Sequence, residues 1–275
     1  MAPDPSRLAI NQATVRPQWT LAQAIEGFAR QNVRGIAVWR DKLAECGVEE
    51  AATMLRDHGM TVTGLCRGGM FPAADAAGLQ AALDNNKRAI EEAHAIDARC
   101  LVLVAGGLPE GSKDISGARR MVADGLAEIL PFARSAGVPL AIEPLHPMYA
   151  ADRCCVNTIG QANDLCDALG AGVGIAVDVY HLWWDPALEA GIRRAGKERI
   201  LAFHICDWLV PTTDLLLDRG MMGDGIIDIP RIRGWVEATG YDGFHEVEIF
   251  SKDNWWQRDA DEVVTVCRER HGTVC

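Results

Sequence analysis

The segment PLAIEPL (139–145) contains the pattern on which the interpretation of the whole chain depends. It is a short apolar run that begins just after Gly137, and a glycine at such a position commonly ends a helix. The run is apolar on both faces, as expected for a parallel strand that helices cover. Its one charged residue is Glu143. The segment is therefore predicted to be a buried parallel strand with a carboxylate near its end.

Seven further segments repeat this pattern, and stretches with helical spacing separate them. These segments are LAIN (8–11), GIAVW (35–39), TVTGLC (61–66), CLVLVAG (100–106), GIAVDVYH (174–181), ILAFHICD (200–207) and GFHEVEIF (243–250). Thr20, followed three residues later by Gln23, fits a helix-capping box. Eight strand–helix units without a Pro/Ser-rich linker favour the α/β class and a single (β/α)₈ TIM barrel domain over residues 1–275. A doubly wound open sheet is the alternative, but AINQATVRP lacks the glycine-rich phosphate turn usual after its first strand.

Composition excludes several classes of function. The chain is 49% hydrophobic with a formal net charge of −11, and an acidic surface disfavours nucleic acid as a partner. No apolar run approaches the roughly 18 residues of a membrane span, and the first residues, MAPDPSRLAINQ, lack the apolar core of a signal peptide. Nine cysteines without CxxC spacing are typical of reduced thiols. We therefore expect a cytoplasmic protein that binds neither membranes nor nucleic acid.

Polar residues recur at the carboxyl ends of the last four predicted strands. The tripeptides AIE, AVD and AFH each place an alanine two residues before a polar residue, namely Glu143, Asp178 and His204. Because side chains alternate between the two faces of a strand, each polar residue and its alanine point into the barrel. In the last strand, the tripeptide EVE places Glu248 beside these three side chains and Glu246 at the level of the alanines.

Three carboxylates and one imidazole at the mouth of a barrel would repel one another and take up protons. A divalent cation supplies the missing positive charge, and this donor set suits Mn²⁺, Mg²⁺, Co²⁺ or Zn²⁺. We therefore expect one divalent metal ion, bound by Glu143, Asp178, His204 and Glu248. The small alanines leave room for Glu246, which is expected to support the ligands from below.

The segments IEPLHP, VDVYHLWWDP, FHICD and GYDGFHEVEIFS resemble the sugar phosphate isomerase/epimerase superfamily, whose fold is a xylose isomerase-like barrel. The resemblance covers essentially the whole chain, and relatives include ketose 3-epimerases, hydroxypyruvate isomerase and inosose-processing enzymes. It implies that the same four residues bind one metal, and that Glu143 and Glu248 transfer protons on opposite faces of the substrate. It also implies that His181 contacts the substrate, and homo-oligomers are an expectation from the family.

The expected activity is a metal-dependent isomerase or epimerase of a small sugar, sugar acid or cyclitol ketone, acting through a metal-stabilised cis-enediolate. The same enediolate also allows a lyase, dehydratase or decarboxylase of a 3-oxo sugar acid. A phosphodiesterase like endonuclease IV, another relative, is a weaker alternative, because a trinuclear zinc site needs more histidines than this seven-histidine chain places at strand ends. A non-catalytic sugar-binding barrel is the weakest alternative.

Additional candidates for substrate contacts follow the predicted strands. They are Arg67, His146, Arg153, Trp183, Trp208 and Arg219. Arg67 precedes two glycines and is a candidate ligand for a carboxylate or phosphate, whereas the tryptophans are candidate pocket walls. Residues 207–228, here called the lid segment, contain three glycines and are expected to cover the site. In ketose epimerases a substrate arginine lies close behind the strand-seven histidine, where this chain has CDWLV, so the substrate of that branch is not carried over.

Overall fold

Eight parallel strands close into a barrel in the computed structural model, which describes residues 2–275. Each strand pairs with the next along the chain, and the last pairs with the first, so the predicted (β/α)₈ barrel is confirmed. The extent of a single domain over residues 1–275 stays a prediction. The barrel strands are β1 (Leu8–Asn11), β2 (Gly35–Trp39), β3 (Thr61–Gly69), β4 (Leu101–Val104), β5 (Leu140–Ile142), β6 (Val173–Asp178), β7 (Ile200–Ile205) and β8 (His245–Val247).

Ten α-helices accompany the barrel within residues 2–275. They are α1 (Leu21–Arg30), α2 (Arg40–Cys46), α3 (Val48–Asp57), α4 (Ala76–Ala95), α5 (Ile115–Ala136), α6 (Ile159–Leu169), α7 (Val179–Leu182), α8 (Leu188–Arg199), α9 (Ile229–Ala238) and α10 (Ala260–Val274). The capping box of Thr20 and Gln23 is present at the start of α1. Gly137 ends α5 in the left-handed conformation, with φ of 70°, as the sequence indicated. None of these helices has the length and hydropathy that crossing a bilayer requires.

Apolar side chains form two layers, one inside the barrel and one between the strands and the helices. Ile142, Val177 and Phe203 are buried in the outer layer against the helices. The inner layer consists of Cys66, Cys100, Val102, Ala141, Ala176 and Ala202. The predicted register is confirmed, because the three alanines that precede the polar strand ends face the barrel interior. The nine cysteines are free thiols.

Strands β6 and β8 are shorter than the sequence indicated. The Asp178 carboxylate accepts a hydrogen bond from the main-chain N–H of Tyr180 at 2.7 Å, which caps a helical turn and ends β6. His181 therefore lies on the helical turn α7 and not on a strand. Strand β8 ends at Val247, although the N–H of Glu248 still donates to the carbonyl of Ile205 at 3.2 Å. Glu248 thus follows the strand while keeping its ladder contact.

Strand β3 is longer than predicted and carries an irregularity at its carboxyl end. Its pairing with β4 shifts register between Cys66 and Gly68, so Arg67 is the extra residue of a bulge. The buried side chain of Asn86 accepts from the N–H of Gly69 at 2.6 Å and donates to its carbonyl at 2.8 Å. A Cβ at Gly69 would lie 2.0 Å from the carbonyl oxygen of Val104. The close approach of β3 and β4 at this point therefore requires glycine.

Candidate metal centre and substrate pocket

Four side chains converge at the carboxyl ends of β5 to β8. Glu143 directly follows β5, Asp178 ends β6, His204 lies within β7 and Glu248 directly follows β8. One ligand atom from each lies within 4.8 Å of the others, and the four residues are at most 6% exposed. The register pairs Asp178 with His204 and His204 with Glu246 across neighbouring strands. The structure therefore brings together the four residues predicted as metal ligands.

The donor types and spacing fit a divalent metal ion. Ligand bonds of about 2.0–2.2 Å around one ion separate neighbouring donors by roughly 3–4 Å. His204 Nδ1 lies 3.1 Å from Glu143 Oε1 and 4.0 Å from Glu248 Oε2, so this nitrogen faces the carboxylates. The other ring nitrogen, Nε2, has no well-aligned hydrogen-bond partner and lies 3.4 Å from Glu246 Oε1. A carboxylate behind a histidine ligand is a common orienting arrangement in metal sites.

Burial and mutual interaction shift the pKa values of three side chains in the cluster. Burial raises the pKa of Glu248 to about 8, although Arg219 and His204 oppose this shift. Burial likewise raises the pKa of Asp178. For His204, burial favours the neutral ring, but the surrounding carboxylates, Glu246 foremost, outweigh it and raise the pKa well above its usual range. In the absence of another cation, the cluster therefore holds protons that a divalent ion would displace.

Glu246 lies below the cluster in a fixed hydrogen-bonded position. Its Oε1 accepts from Asn11 Nδ2 at 2.8 Å, and its Oε2 accepts from Thr63 Oγ1 at 2.6 Å. The residue is 2% exposed. With both oxygens occupied and His204 beside it, Glu246 has the surroundings of a group that orients a ligand. The role predicted for Glu246, support of the ligands from below, stays a prediction.

Asn11 is a part of the site that the sequence interpretation missed. Its amide nitrogen donates to Glu246 and, at 2.9 Å, to Glu248 Oε1. Its amide oxygen accepts from Trp39 Nε1 at 2.7 Å and from the N–H of Ala13 at 3.0 Å. All four hydrogen-bonding positions of this buried amide are used, which fixes its orientation. The available signal was its place at the carboxyl end of β1, where the pattern LAIN ends in a polar residue, as do the later strands.

Arg219 reaches the cluster from the lid segment. Asp207–Trp208 pairs with Arg219–Gly220 in a short antiparallel ribbon beyond β7, and the loop between these strands crosses the mouth of the barrel. The Nη1 atom of Arg219 lies 3.0 Å from Glu248 Oε2 and 3.3 Å from Asp178 Oδ2. Its guanidinium packs over Tyr180 at 4.4 Å and is 3% exposed as a residue. The structure thus brings Arg219 into contact with two of the candidate metal ligands.

His181 is buried next to Arg219 with both ring nitrogens engaged. Its Nδ1 lies 3.3 Å from the main-chain N–H of His146, and its Nε2 lies 3.2 Å from Arg219 Nη2. Burial, together with Arg219, lowers the pKa of His181 well below its usual range, so the ring is neutral. A neutral imidazole accepts at only one nitrogen, yet both neighbours are donors. The Nε2 atom also lies 3.6 Å from Asp178 Oδ2, so a proton on this nitrogen faces a carboxylate as well as Arg219.

Three of the residues predicted to contact substrate lie outside the pocket wall. His146, Trp183 and Trp208 form an aromatic cluster beside the pocket, with ring centroids of His146 and Trp208 5.1 Å apart and those of Trp183 and Trp208 5.6 Å apart. Trp208 also stacks on Tyr180 at 4.8 Å. These rings pack the base of the lid segment against the loop after β5 and the turn α7. The arrangement does not bring the three predicted contacts to the substrate pocket.

The pocket opens above the candidate ligands. Glu143, Glu248 and His181 line its floor, and the arginines that line it are Arg67, Arg153 and Arg219. Leu216 of the lid segment also lines the pocket, as expected for a covering segment. The hydroxyls of Tyr149 and Tyr180 both donate to the carbonyl of Leu215, at 2.7 Å and 3.0 Å. These two bonds hold the tip of the lid segment over the site.

The fold is a closed (β/α)₈ barrel. A buried cluster of three carboxylates and one histidine lies at the carboxyl ends of its strands, the edge where barrel enzymes have their active sites. A sequence model of the family described as Xylose isomerase-like TIM barrel matches residues 22–269. The match covers most of the chain, so the protein belongs to the xylose isomerase-like TIM barrel family. The resemblance inferred from the sequence motifs is therefore confirmed.

Individual relatives cover nearly the whole chain. Inosose isomerase of Halalkalibacterium halodurans is 24% identical over 273 residues, which cover 96% of this chain and 94% of the relative. Protein SMc04130 from Sinorhizobium meliloti, known from a crystal structure, is 59% identical with a TM-score of 0.97 and 99% coverage of both chains. The crystal structure of the IOLI protein with a bound zinc atom is similar in fold, with 22% identity, a TM-score of 0.84, and coverage of 96% of this chain and 95% of that chain.

Proposed function

We propose that the protein is a divalent-metal-dependent isomerase or epimerase of a small hydroxyketone, such as a sugar, sugar acid or cyclitol ketone. The observation that carries this proposal is the buried cluster of Glu143, Asp178, His204 and Glu248, whose ligand atoms lie within 4.8 Å of one another. The relatives named inosose isomerase support a sugar or cyclitol substrate. The zinc atom in the IOLI protein structure supports metal binding at such a site.

The four residues of the cluster would hold the metal ion, with Glu246 orienting His204 from behind. A divalent ion, when bound, polarises a substrate carbonyl and stabilises the negative charge that develops as the neighbouring C–H bond loses its proton. His204 would bind through Nδ1, because this nitrogen faces Glu143 and Glu248. Asp178 would be a ligand, and its hydrogen bond from the N–H of Tyr180, which caps α7, fixes its carboxylate.

Glu143 and Glu248 are proposed to move the proton. They follow β5 and β8, which are three positions apart in the ring of eight strands, so the two carboxylates approach the pocket from well-separated sides. One carboxylate oxygen takes the proton from the carbon next to the carbonyl. Return of a proton to the former carbonyl carbon, with the hydroxyl proton moving to the former carbonyl oxygen, gives an isomer. Return of a proton to the original carbon from the other carboxylate, on the opposite face, gives an epimer.

His181 and Arg219 are proposed to bind one oxygen atom of the substrate. Their facing nitrogens are 3.2 Å apart, and both residues line the pocket. An acceptor oxygen placed against these nitrogens would receive a hydrogen bond from Arg219, and a second from His181 when the ring carries its proton on Nε2. A hydroxyl or carbonyl oxygen of a hydroxyketone supplies such an acceptor. The pair would therefore hold the substrate next to Asp178 and Glu248.

Replacing His181 with asparagine should lower kcat/KM by about 10- to 100-fold, the range expected for losing a hydrogen bond to the reacting substrate. Metal content should stay at the wild-type level, because His181 is outside the ligand cluster. The exposed His94 on α4 offers a control, and His94→Asn should leave kcat/KM unchanged. Wild-type kcat/KM in His181→Asn would contradict a substrate contact at this residue.

Exchange of substrate protons with solvent tests the proposed function. The wild-type protein should incorporate deuterium from D₂O next to the carbonyl of inosose or of a related hydroxyketone, detected by NMR. Removal of metal with a chelator should abolish the exchange, and Mn²⁺, Mg²⁺, Co²⁺ or Zn²⁺ should restore it. In a parallel reaction in H₂O, a product of unchanged mass identifies an isomerase or epimerase, whereas loss of water or carbon dioxide identifies a lyase, dehydratase or decarboxylase. Exchange that survives complete metal removal would contradict the proposal.

A further inference from the structure

More cationic than anionic side chains line the pocket wall. Among the described residues that line the pocket, the carboxylates are the candidate ligands Glu143 and Glu248, and the cations are Arg67, Arg153 and Arg219. The whole chain has the opposite balance, with 27 lysines and arginines against 38 aspartates and glutamates. A bound divalent ion and the three guanidinium groups would outweigh the ligand carboxylates, even with the buried Glu246 counted. The pocket above the metal is therefore a positive region in an acidic protein.

Arg67 is directed to the pocket by the bulge in β3. The preceding residue, Cys66, faces the barrel interior, so regular alternation would turn Arg67 outward toward the helices. The register shift between Cys66 and Gly68 re-aims the side chain, which lines the pocket instead. Arg67 has no hydrogen bond or ion pair to any residue that the structure describes. Asn86 fixes the main chain at the end of this bulge through its two bonds to Gly69.

The two arginines nearest to Arg67 differ from it, because each has a carboxylate partner. A groove that adjoins the pocket at Arg67 also contains Arg16 and Arg40. Arg16 pairs with Asp41, and Arg40 pairs with Glu92, with Nη2 and Oε1 3.1 Å apart. Among these three neighbouring arginines, Arg67 is therefore the one without a carboxylate partner.

Arg153 lies on the pocket wall in the loop after β5. Its guanidinium packs over the ring of Tyr149 at 5.3 Å, and its main-chain N–H donates to the carbonyl of Tyr149 at 3.0 Å. Asp152 approaches its Nε at 3.9 Å, but the side chains of Arg153 and Asp152 are 43% and 67% exposed, so this ion pair is weak. The stacked guanidinium keeps N–H donors free for a ligand.

We propose that the substrate carries a carboxylate or phosphate group, bound by Arg67 and Arg153 on the wall of the pocket. The inference rests on the proposed function, since the hydroxyketone end of the substrate would occupy the metal centre. An arginine fork matches the oxygens of both anions, which is why the site selects anionic over neutral ketoses. Among the hydroxyketones of the proposed function, the preferred substrate is thus one that carries an anionic group.

Three six-carbon hydroxyketones test this inference by isothermal titration calorimetry with the metal-loaded protein. D-Fructose has a neutral far end, 5-keto-D-gluconate has a carboxylate there, and D-fructose 6-phosphate has a phosphate. At least one anionic probe should bind about tenfold or more tightly than D-fructose, as expected for charge-assisted hydrogen bonds. The anion that binds more tightly identifies the group. Arg67→Gln should remove most of this preference without changing the affinity for D-fructose.

Arg88→Gln provides the matched control, because Arg88 is an exposed arginine on α4 that lines neither the pocket nor the adjoining groove. This variant should keep the anion preference. Equal or tighter binding of D-fructose, absence of binding by both anionic probes at millimolar concentration, or an unchanged preference in Arg67→Gln would overturn the anion subsite. Metal content, measured on the same samples, distinguishes failure of the anion subsite from failure of the proposed function. Protein that binds metal but shows no anion preference contradicts the subsite alone, whereas protein that cannot bind metal contradicts the proposed function.

Discussion

Replacing Glu248 with alanine should leave the purified protein almost free of metal, whereas Glu246→Ala should retain most of it. Glu248 contributes a carboxylate to the four-residue cluster, while Glu246 is bonded to Asn11 and Thr63 below it. Loss of a group that orients a ligand typically weakens metal affinity by about 10- to 100-fold, so Glu246→Ala should bind more weakly without losing the site. Elemental analysis after dialysis measures the metal content, and titration with a competing chelator measures the affinity.

The exposed Glu91 on α4 supplies the control, since Glu91→Ala should match the wild type in both measurements. Thermal unfolding of each variant shows whether a loss of metal follows a loss of fold. The assignment of ligands on β8 would be wrong if Glu246→Ala lost the metal and Glu248→Ala kept it. A folded wild-type protein that takes up no Mn²⁺ or Zn²⁺ would remove the basis for the proposed chemistry.

Glu143→Gln and Glu248→Gln should each lower kcat by about 10²–10⁴-fold, the usual contribution of general acid–base catalysis. Glutamine keeps the shape of the side chain and one oxygen donor but accepts no proton. If the two carboxylates serve opposite faces of the substrate, each variant should still exchange solvent deuterium into one of the two interconverting compounds and not into the other. NMR in D₂O, starting separately from each compound, measures this asymmetry.

Metal content must be determined in the same preparations, because a lost ligand would also lower kcat. A variant with wild-type metal content and wild-type kcat would exclude its glutamate from proton transfer. Equal loss of exchange from both compounds in both variants, with the metal retained, would indicate that the carboxylates act together and not on separate faces.

Local patterns were sufficient to predict the barrel and the convergence of four side chains at the ends of its strands. Alternation within a strand is a property of neighbouring residues, so the alanines before Glu143, Asp178 and His204 indicated which side chains point inward. The same register distinguished Glu248 from Glu246. Strand ends were less predictable, because the bonds that set them are side-chain bonds, such as that of Asp178 to the N–H of Tyr180.

Contacts between distant parts of the chain could not be predicted in this way. Asn11 bonds to Glu246 only because β1 lies next to β8 in the closed ring. Arg219 enters the site because a ribbon returns the chain over the barrel, a geometry that spacing from His204 does not reveal. Trp183 and Trp208 are residue types that often line ligand pockets. Here the two rings pack on each other, and Trp208 packs on His146, at the base of the lid segment.

The bonds from Asn11 also determine when the metal centre can form as the chain folds. Asn11 and Glu246 are 235 positions apart in the chain, and this contact requires the first and last strands to be adjacent. Contacts of such high sequence separation form only after a large loss of chain entropy. A chain that is still emerging from the ribosome without β8 therefore lacks Glu246 and Glu248 and cannot close the ring. A metal ion that binds the finished cluster, as proposed above, would favour the closed ring over its open precursors, so metal uptake and completion of the barrel would be thermodynamically linked.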